Sequence, residues 1–481
     1  MNRPIIRLYG LIVVLFALLV AFTSRWTIFE ASSLRENRLN VRPVLEQERI
    51  DRGPILAADG SVLARSVRGA EGTYQRTYPM GMQFAAPIGY SFVTGVGSSG
   101  LELYRNKQLD GKQEETNLQA ILNQLQGKKP QGDKVITTLI PSAQRVANAA
   151  LAGHRGAVVA IEPQSGAVTV MASSPSFDPN SLRSSTQAET LKRDSEAPLI
   201  NRATEFGYAP GSTFKIITAS AAIDTGAFTP ESTLSGRNDI LISGVPLQND
   251  DGESFGQITL TRALAHSVNT VYAQVAERLG KRTLARYMDR FGFDRKPQLD
   301  YPAEEMSASG EYLGAHLLAP TSPLVDVGRM GIGQDKLEVT PLQMAEVAAA
   351  VANHGTLMVP HLTDRVVDPE GATVQTVAPR VQSVVMKPST AAAVTTMMEA
   401  VVKEGTGTAA QIPGVTVAGK TGTAQTLIGN TINNVWFVAF APTSHPRVAI
   451  AVTLQDVPGQ GAQFAAPVAK EVIEALLRST P

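Results

Sequence analysis

The stretch YAPGSTFKIITAS, residues 208–220, places a serine and a lysine three positions apart where an apolar helix begins. Residues three apart lie on the same face of a helix, so Ser212 and Lys215 can come within hydrogen-bond reach. Apolar neighbours such as Phe214 would bury the lysine, and burial disfavours its charged form. A neutral lysine can accept the proton of a serine hydroxyl and so make it a nucleophile. The stretch therefore predicts a helix over about 212–225 that carries an activated serine.

Two short motifs later in the chain can supply the rest of such a site. The first is AHSVNTVY, with Ser267 and Asn269, and the second is VAGKTGTAQ, with Lys420 at the start of a Lys-Thr-Gly triplet. Taken alone, each has an ordinary structural explanation, because Ser and Asn bond the local backbone readily and Lys-Thr-Gly can form a turn. Together they give the order Ser-x-x-Lys, Ser-x-Asn, Lys-Thr-Gly, which is the motif set of penicillin-binding proteins and class A β-lactamases.

Composition excludes several other kinds of chemistry. The 481 residues include no cysteine, which removes disulfides, thiolate metal sites and cysteine nucleophiles. Six scattered histidines form no HExxH-like pair, so a zinc hydrolase is not expected. The 43 basic and 43 acidic side chains cancel, so no overall field draws the chain to nucleic acid. Any charge with a role in the chemistry must therefore be local.

An apolar run near the N-terminus, Leu8 to Ser24, is uncharged and near the lower length limit for a helix that spans a bilayer core of about 30 Å. No convincing small-x-small cleavage site follows it, which favours a permanent anchor over the alternative of a cleaved signal peptide. Arg3 and Arg7 indicate a cytoplasmic N-terminus, although Arg25 weakens the charge asymmetry. We expect a single-pass membrane protein whose later residues lie outside the cytoplasm.

The chain divides into three parts on composition. Residues 1–25 form a short cytoplasmic segment and the anchor. Residues 26–133 are mixed and polar, and Asp59-Gly60 between short apolar runs predicts a β-hairpin there. The segment GKKPQGD, residues 127–133, is rich in Gly, Pro and charge and marks a domain edge, after which residues 134–481 form a large domain.

The pattern of this large domain predicts an α+β fold. A helix is expected in PSAQRVANAALAG, followed by two strands around a turn at Pro163 to Gly166. Two later strands, NNVWFVAFAP and RVAIAVTLQD, precede an amphipathic helix that closes the chain. A sheet assembled from such distant segments, with a helical block between them, is typical of α+β domains. Further helices are expected at about 259–280, 341–353 and 388–404, the second of them opening with Thr340 as N-cap.

The chain resembles a class B penicillin-binding protein, a monofunctional peptidoglycan D,D-transpeptidase, and most of all the actinobacterial PbpA type. RGPILAADGSVLA is similar to the first N-terminal motif of that family, and YAPGSTFK, GIGQDKLEVTPLQMA and GKTGTAQ are similar to its transpeptidase landmarks. The resemblance covers nearly all of residues 40–478. It implies a penicillin-binding/β-lactamase-like transpeptidase domain with a central antiparallel sheet and a helical subdomain. A small β-rich pedestal and one N-terminal transmembrane helix would precede that domain.

The resemblance also implies roles for individual residues. Ser212 would be acylated, Lys215 would activate it, and Ser267 would relay protons toward the leaving amine. Asn269 would position Lys215 and the substrate amide, and Lys420 would add positive potential that helps keep Lys215 neutral. The remaining implied positions bind the substrate or form the oxyanion hole: Thr421, Gly422 and Thr423 for binding, and the backbone N–H groups of Ser212 and Thr423 for the hole.

The implied reaction is acyl transfer through a covalent intermediate. Ser212 would attack the D-Ala-D-Ala bond of a peptidoglycan stem peptide, release the terminal D-Ala and pass the acyl group to an amine of a neighbouring stem. β-Lactam antibiotics would acylate the same serine, and no metal or organic cofactor is implied. The resemblance further implies a SEDS-family membrane glycosyltransferase as a partner, together with divisome or elongasome proteins of a bacterial cell membrane.

Three alternatives stand beside this interpretation. A D,D-carboxypeptidase or β-lactamase would send the acyl group to water, although Val268 stands where class A β-lactamases carry Asp. A bifunctional glycosyltransferase–transpeptidase is disfavoured, because only about a hundred residues separate the anchor from the linker. A non-catalytic penicillin sensor or divisome subunit predicts the loss of a motif residue, and none is missing.

Overall fold

The computed structural model describes residues 3–25, 48–69, 72–92, 96–111, 131–425 and 432–479. The helices are α1 (Arg3–Ser24), α2 (Ala85–Ile88), α3 (Gly100–Tyr104), α4 (Asn106–Leu109), α5 (Pro141–Ala150), α6 (Ser185–Arg193), α7 (Lys215–Asp224), α8 (Leu260–Ala265), α9 (Asn269–Arg290), α10 (Val327–Met330), α11 (Pro341–Ala352), α12 (Pro388–Glu404) and α13 (Gly461–Ser479). The strands are β1 (Ile55–Leu56), β2 (Val62–Arg68), β3 (Tyr74–Thr77), β4 (Ser91–Phe92), β5 (Gly97–Ser98), β6 (Lys134–Thr137), β7 (Arg155–Ile161), β8 (Val168–Ser174), β9 (Thr233–Ser235), β10 (Ile240–Ile242), β11 (Val245–Leu247), β12 (Gln257–Thr259), β13 (Gly310–Leu313), β14 (His316–Leu318), β15 (Leu337–Glu338), β16 (Thr356–Met358), β17 (Thr363–Val367), β18 (Thr373–Thr376), β19 (Val381–Val384), β20 (Ala418–Gln425), β21 (Ile432–Ala441) and β22 (Val448–Pro458).

A five-stranded antiparallel sheet forms the centre of the large domain, in the order β20-β21-β22-β7-β8. Its strands come from distant segments, and β7 and β8 flank the turn at Pro163 to Gly166, as the sequence predicted. Successive strand residues face opposite sides, so Val158 packs in an apolar cluster with α5 and α13, while Val159 packs in another with α11. Helices therefore cover both faces, and the predicted α+β architecture is confirmed.

The helix predicted at about 259–280 is two helices, α8 and α9, so the prediction of one continuous helix was wrong. Thr259 is the N-cap of α8, and its side chain accepts a hydrogen bond from Arg262 N. Ser267, between the two helices, has a φ of 58°, a left-handed conformation that interrupts a right-handed helix. α9 then continues past a non-helical Gly280.

The helices predicted at about 341–353 and 388–404 are confirmed as α11 and α12. Thr340 caps α11, because its Oγ1 accepts a hydrogen bond from Gln343 N at 3.2 Å. Pro341 occupies the first turn, where its missing N–H costs nothing. The local sequence signals for this helix therefore act as expected.

A second sheet has six strands, in the order β18-β17-β6-β1-β2-β3. The hairpin predicted at Asp59-Gly60 is confirmed between β1 and β2, where Asp59 Oδ1 accepts a hydrogen bond from Ser61 N at 2.9 Å. β6 pairs with β1 in parallel and with β17 in antiparallel orientation. Strands from both sides of residue 133 thus share one sheet, and the domain division at that residue stays a prediction. The proposed linker 127–133 lies outside the described residues except for 131–133.

A buried charge cluster connects the elements of residues 52–110. Glu102 is completely buried and accepts hydrogen bonds from Arg52 Nε at 2.8 Å and Arg76 Nε at 2.6 Å. Arg52 also forms an ion pair with Asp110. Burial alone would raise the pKa of Glu102, but the charges of Arg76 and Arg52 outweigh that effect and lower the pKa below its usual value. The cluster thus keeps a carboxylate ionised inside the protein.

Replacing Glu102 by Gln should destabilise the fold strongly. Glu102→Gln leaves Arg52 and Arg76 buried without their carboxylate, and breaking a buried ion pair in this way costs about 3–5 kcal/mol. We expect Glu189→Gln, which removes an exposed carboxylate 3.3 Å from Lys192, to lower the free energy of unfolding by less than about 1 kcal/mol. Denaturant unfolding measures both values, and equal losses for the two variants would contradict the structural role of Glu102.

Helix α1 exposes an apolar surface along its whole length. Its 22 residues include exposed side chains such as Leu8, Phe16 and Phe22, and none of them is buried. At 1.5 Å per residue the helix is about 33 Å long, enough to cross a hydrocarbon core of about 30 Å. The helix therefore fits a membrane anchor.

Candidate active site

The candidate nucleophile lies in a tight turn just before α7. Gly211–Phe214 form a 3-10 turn and the α-helix begins at Lys215, so Ser212 precedes the helix that the sequence predicted to include it. Gly211 has a φ of 52°, which favours glycine. A side chain at Gly211 would come within 2.7 Å of Thr423 O. Glycine thus allows the close approach of the turn to strand β20.

Lys215 is the centre of the site. It is fully buried, and its Nζ donates a hydrogen bond to Ser212 Oγ at 3.0 Å. The same nitrogen donates to Asn269 Oδ1 at 2.7 Å and to the backbone oxygen of Ser267 at 2.6 Å. The turn before α7 and the break between α8 and α9 therefore bring both serines and the asparagine to one amine.

Ser267 connects the two lysines of the site. Its hydroxyl oxygen lies 3.3 Å from Lys215 Nζ and 3.0 Å from Lys420 Nζ. Because the backbone of Ser267 is left-handed, its carbonyl and its hydroxyl both contact Lys215. A hydroxyl is both donor and acceptor, so Ser267 can pass a proton between its neighbours.

The environment disfavours the charged forms of both lysines. Burial lowers the pKa of Lys215 well below its usual value of 10.5, and the charge of Lys420 lowers it further. Burial lowers the pKa of Lys420 to about 7, although the charge of Asp250 opposes this change. A lysine with a lowered pKa has a larger neutral fraction near neutral pH, so Lys215 can accept a proton from Ser212.

Strand β20, at the edge of the five-stranded sheet, closes the other side of the site. Gly422 lies against the nucleophile turn, because a side chain there would come within 2.7 Å of Pro210 O. Thr421 is buried and Thr423 is half-buried. The structure thus brings together every site residue that the sequence predicted: Ser212, Lys215, Ser267, Asn269, Lys420, Thr421, Gly422 and Thr423.

Two residues that contact this cluster were not predicted from the sequence. Thr406 Oγ1 shares a hydrogen bond with Thr421 Oγ1 at 2.6 Å. Asp250 Oδ1 accepts a hydrogen bond from Asn269 Nδ2 at 3.2 Å. Both residues lie on segments that tertiary folding brings to the motifs, and neither belongs to a motif or to a spacing that would have indicated it.

The chemistry available in the cluster is that of hydroxyl, amine and amide groups. A serine beside a low-pKa amine is the arrangement of a nucleophile with its base. Within the described ranges, no group of three or more His, Asp or Glu side chains could hold a metal ion. The contact of Lys215 Nζ with Ser212 Oγ supports covalent acyl transfer through that serine.

Comparison with known proteins gives two family matches. Residues 156–474 match the family described as the penicillin binding protein transpeptidase domain, and this match alone covers more than half of the chain. Residues 52–135 match the family described as the penicillin binding protein A dimerisation domain.

Named relatives are similar along the whole chain. The peptidoglycan D,D-transpeptidase PbpA of Mycolicibacterium smegmatis is 35% identical over 505 aligned positions, which cover 99% of each chain. The protein of the same name from Mycobacterium tuberculosis is 32% identical, with 100% of each chain covered. The structure of penicillin-binding protein A from M. tuberculosis as a penicillin G acyl-enzyme complex is similar with a TM-score of 0.79 at 32% identity, covering 89% of this chain and 99% of that chain.

Proposed function

Because the chain belongs to the penicillin-binding protein transpeptidase family, we propose that Ser212 is the residue acylated in its reaction and that Lys215 is the general base. The chain is a serine-type peptidoglycan D,D-transpeptidase of cell wall synthesis. The observation that carries the residue assignment is the fully buried Lys215, whose Nζ lies 3.0 Å from Ser212 Oγ. Burial supplies the lowered pKa that a lysine base requires.

In the proposed acylation step, Ser212 Oγ attacks the carbonyl carbon between the two terminal D-Ala residues of a stem peptide, while its proton passes to Lys215 Nζ. Ser267 then gives its hydroxyl proton to the nitrogen of the terminal D-Ala as the C–N bond breaks, and it takes the proton held on Lys215 Nζ in exchange. The products are an ester on Ser212 and free D-Ala. The contacts of the Ser267 hydroxyl with Lys215 and Lys420 support this relay, at 3.3 and 3.0 Å.

The backbone N–H groups of Ser212 and Thr423 form the oxyanion hole in this proposal. A side chain at Gly211 would lie 3.2 Å from Thr423 N, so the backbones of the two segments are neighbours. Two such donors stabilise the negative charge that develops on the attacked carbonyl oxygen. The loss of one oxyanion-hole donor typically costs about 10²–10³ in rate.

Lys420, Thr421 and Thr423 hold the terminal carboxylate of the stem peptide, and the substrate backbone lies along β20 beside Gly422. The hydrogen bond to Thr406 at 2.6 Å fixes the hydroxyl of Thr421. A β-lactam carboxylate takes the same place in this proposal. The penicillin G acyl-enzyme of the Mycobacterium tuberculosis protein supports acylation of this chain by the same class of antibiotic.

An amine of a neighbouring stem peptide is the acceptor, so that the ester on Ser212 becomes a cross-link between two stems. The alternative reaction is hydrolysis of that ester, as in a D,D-carboxypeptidase. Mass spectrometry of the purified full-length protein incubated with paired stem peptides decides between them. We expect a cross-linked dimer, and hydrolysed peptide alone would refute the transfer to an amine.

Replacing Lys420 by Met should move the pH dependence of acylation. The reaction needs neutral Lys215, so its rate falls as the pH drops through the pKa of that lysine. Burial and the charge of Lys420 lower this pKa, so Lys420→Met raises it. The acid limb of the pH profile, the range over which the rate falls as the pH drops, therefore moves to higher pH. The rate of labelling by a fluorescent penicillin as a function of pH measures the shift. Lys403→Met removes an exposed lysine and should leave the limb in place, and an acid limb that stays or falls in Lys420→Met would contradict the coupling.

We assign α1 as a single membrane span with a cytoplasmic N-terminus and with the catalytic domain outside the cytoplasm. Arg3 and Arg7 before the apolar run support this orientation. Because the chain has no cysteine, one introduced cysteine reports its own side of the membrane. Glu189→Cys should react with a membrane-impermeant maleimide on intact cells, and Arg3→Cys only after lysis. The reverse pattern would contradict the orientation.

Residues 26–133 act as a pedestal that raises the transpeptidase domain, residues 134–481, above the membrane. We propose that α1 and this pedestal bind a SEDS-family glycosyltransferase and other proteins of cell division or elongation. The exposed apolar side chains of α1 support a contact within the membrane. Co-purification of the full-length protein with the glycosyltransferase should fail when α1 (Arg3–Ser24) is exchanged for an unrelated membrane span. Co-purification that survives this exchange would argue against the role of α1.

A further inference from the structure

A loop of residues 248–253 is held against the start of α9, the helix that begins with Asn269. Asn249 in this loop is buried, and its Oδ1 accepts hydrogen bonds from Thr270 N and Thr270 Oγ1, both at 3.0 Å. Its Nδ2 donates to the backbone oxygen of Gly236 at 3.1 Å and, within the loop, to that of Glu253 at 2.9 Å. These bonds fix the place of the loop relative to the residue that contacts Lys215.

The loop presents two acceptors to the amide of Asn269. Asn269 Nδ2 donates to Asp250 Oδ1 and to Gln248 O, both at 3.2 Å. An amide side chain has an oxygen at one end and an NH2 group at the other, so these acceptors determine which end faces Lys215. With the NH2 group held by the loop, Asn269 Oδ1 accepts the hydrogen bond from Lys215 Nζ at 2.7 Å.

We propose that Asp250 is a positioning residue of the acyl-transfer site, which holds the Asn269 amide in the orientation that Lys215 requires. The proposal rests on the assignment of Lys215 as general base made above. A flipped amide would turn its NH2 group toward Lys215 Nζ, so that two donors would face each other. Asp250 is exposed, so packing of the core does not account for a carboxylate at this position.

The same carboxylate acts on the lysines through its charge. The titratable groups that face Lys215 among the described residues are Lys420 from β20, Asp250 from the loop and Tyr272 from α9, whose ring centre is 5.9 Å from Lys215 Nζ. Burial and Lys420 lower the pKa of Lys215, whereas Asp250 raises it. Removing the charge of Asp250 therefore lowers that pKa and moves the acid limb of acylation to lower pH, opposite to the shift expected for Lys420→Met.

Two substitutions separate the hydrogen bond from the charge. Asp250→Asn keeps an oxygen acceptor for Asn269 Nδ2 and removes the charge, whereas Asp250→Ala removes both. Asp251→Asn is the matched control, because it neutralises the next carboxylate of the same loop, which is also exposed. Asp251 has a φ of 55°, which Asn tolerates as well as Asp.

The measurement is the rate of acylation of the full-length protein in detergent by a fluorescent penicillin, as a function of pH. We expect Asp250→Asn to move the acid limb down by a few tenths of a pH unit, with a plateau rate within about twofold of the wild type. Asp250→Ala should lose about tenfold at the plateau, because Asn269 Nδ2 then keeps only Gln248 O as an acceptor and its orientation is held less firmly. Asp251→Asn should follow the wild-type profile. Thermal unfolding of each variant shows whether the fold is kept.

Two results would overturn the role of Asp250 and leave Ser212 and Lys215 as assigned. One is a pair of Asp250 variants whose profiles coincide with that of the wild type. The other is an Asp251→Asn profile that shifts as far as that of Asp250→Asn. A wild-type protein that the penicillin does not acylate would overturn this role together with the assignment of Ser212, so the two failures are distinguishable.

Discussion

The Ser212→Ala variant should form no covalent adduct with a fluorescent penicillin. Removing Ser212 Oγ removes the atom that forms the ester, while Lys215 and Lys420 remain in the site. We expect acylation to fall below detection, because removing the nucleophile of an acyl-enzyme lowers catalysis by on the order of 10⁶-fold. In-gel fluorescence of the variant and the wild type measures the loss.

Ser220→Ala provides the matched control for this prediction. Ser220 is also fully buried, lies further along α7 and donates its hydroxyl to Ile216 O at 2.8 Å. Among the described residues, Ser220 forms no hydrogen bond with Lys215 or Lys420. The control should be labelled as fast as the wild type. Labelling of Ser212→Ala, or loss of labelling in both variants, would argue against Ser212 as the nucleophile.

The Lys215→Met variant should be acylated about 10²–10⁴ times more slowly than the wild type, the usual contribution of a general base. Met has a similar length and can occupy the buried position, but it cannot accept the proton of Ser212. The acid limb of the pH profile should also disappear, because it reports the titration of this lysine. Stopped-flow labelling with a fluorescent penicillin measures both effects.

The control for the lysine is Lys192→Met, which removes an exposed amine paired with Glu189 at 3.3 Å. It should keep the wild-type rate and the wild-type acid limb. If Lys215→Met were acylated within a few fold of the wild type, another group would have to be the base. An unchanged unfolding temperature would show that a slow rate does not come from loss of the fold.

Local sequence patterns predicted much of this structure. A separation of three residues placed Ser212 and Lys215 in contact, as the 3.0 Å distance confirms. Asp59-Gly60 indicated the hairpin of β1 and β2, and the N-cap at Thr340 indicated the start of α11. Each of these features depends on residues within a few positions of one another, so a local sequence pattern can predict it.

The break at Ser267 shows where local patterns fail. Helical spacing over about 259–280 predicted one helix, because most of its positions suit a helix. The left-handed backbone at Ser267 instead brings its carbonyl to 2.6 Å from Lys215 Nζ and its hydroxyl to 3.0 Å from Lys420 Nζ. Lys215 lies 52 residues before Ser267 in the sequence, and Lys420 lies 153 residues after it. Patterns of neighbouring residues cannot predict contacts over such separations.

Other unpredicted features depend on pairing across the chain. Asp250 contacts Asn269, 19 residues later in the chain, and Thr406 contacts Thr421, 15 residues later. Neither Asp250 nor Thr406 belongs to a sequence motif. Strand β6 pairs with β1 on one side and with β17 on the other, so one sheet draws on three separate regions of the sequence. Hydrophobic periodicity indicates that such strands exist, but it does not select their neighbours.

The position of the penicillin adduct on the chain identifies the nucleophile directly. Trypsin cleaves after Arg202 and Lys215, so Ser212 lies in the peptide ATEFGYAPGSTFK, residues 203–215, in which it is the single serine. After reaction of the full-length protein with a penicillin, mass spectrometry should find the added mass on this peptide, and fragmentation should place it on Ser212. An adduct on the peptide that carries Ser267, or folded protein with no adduct, would contradict the assignment of Ser212 as the nucleophile.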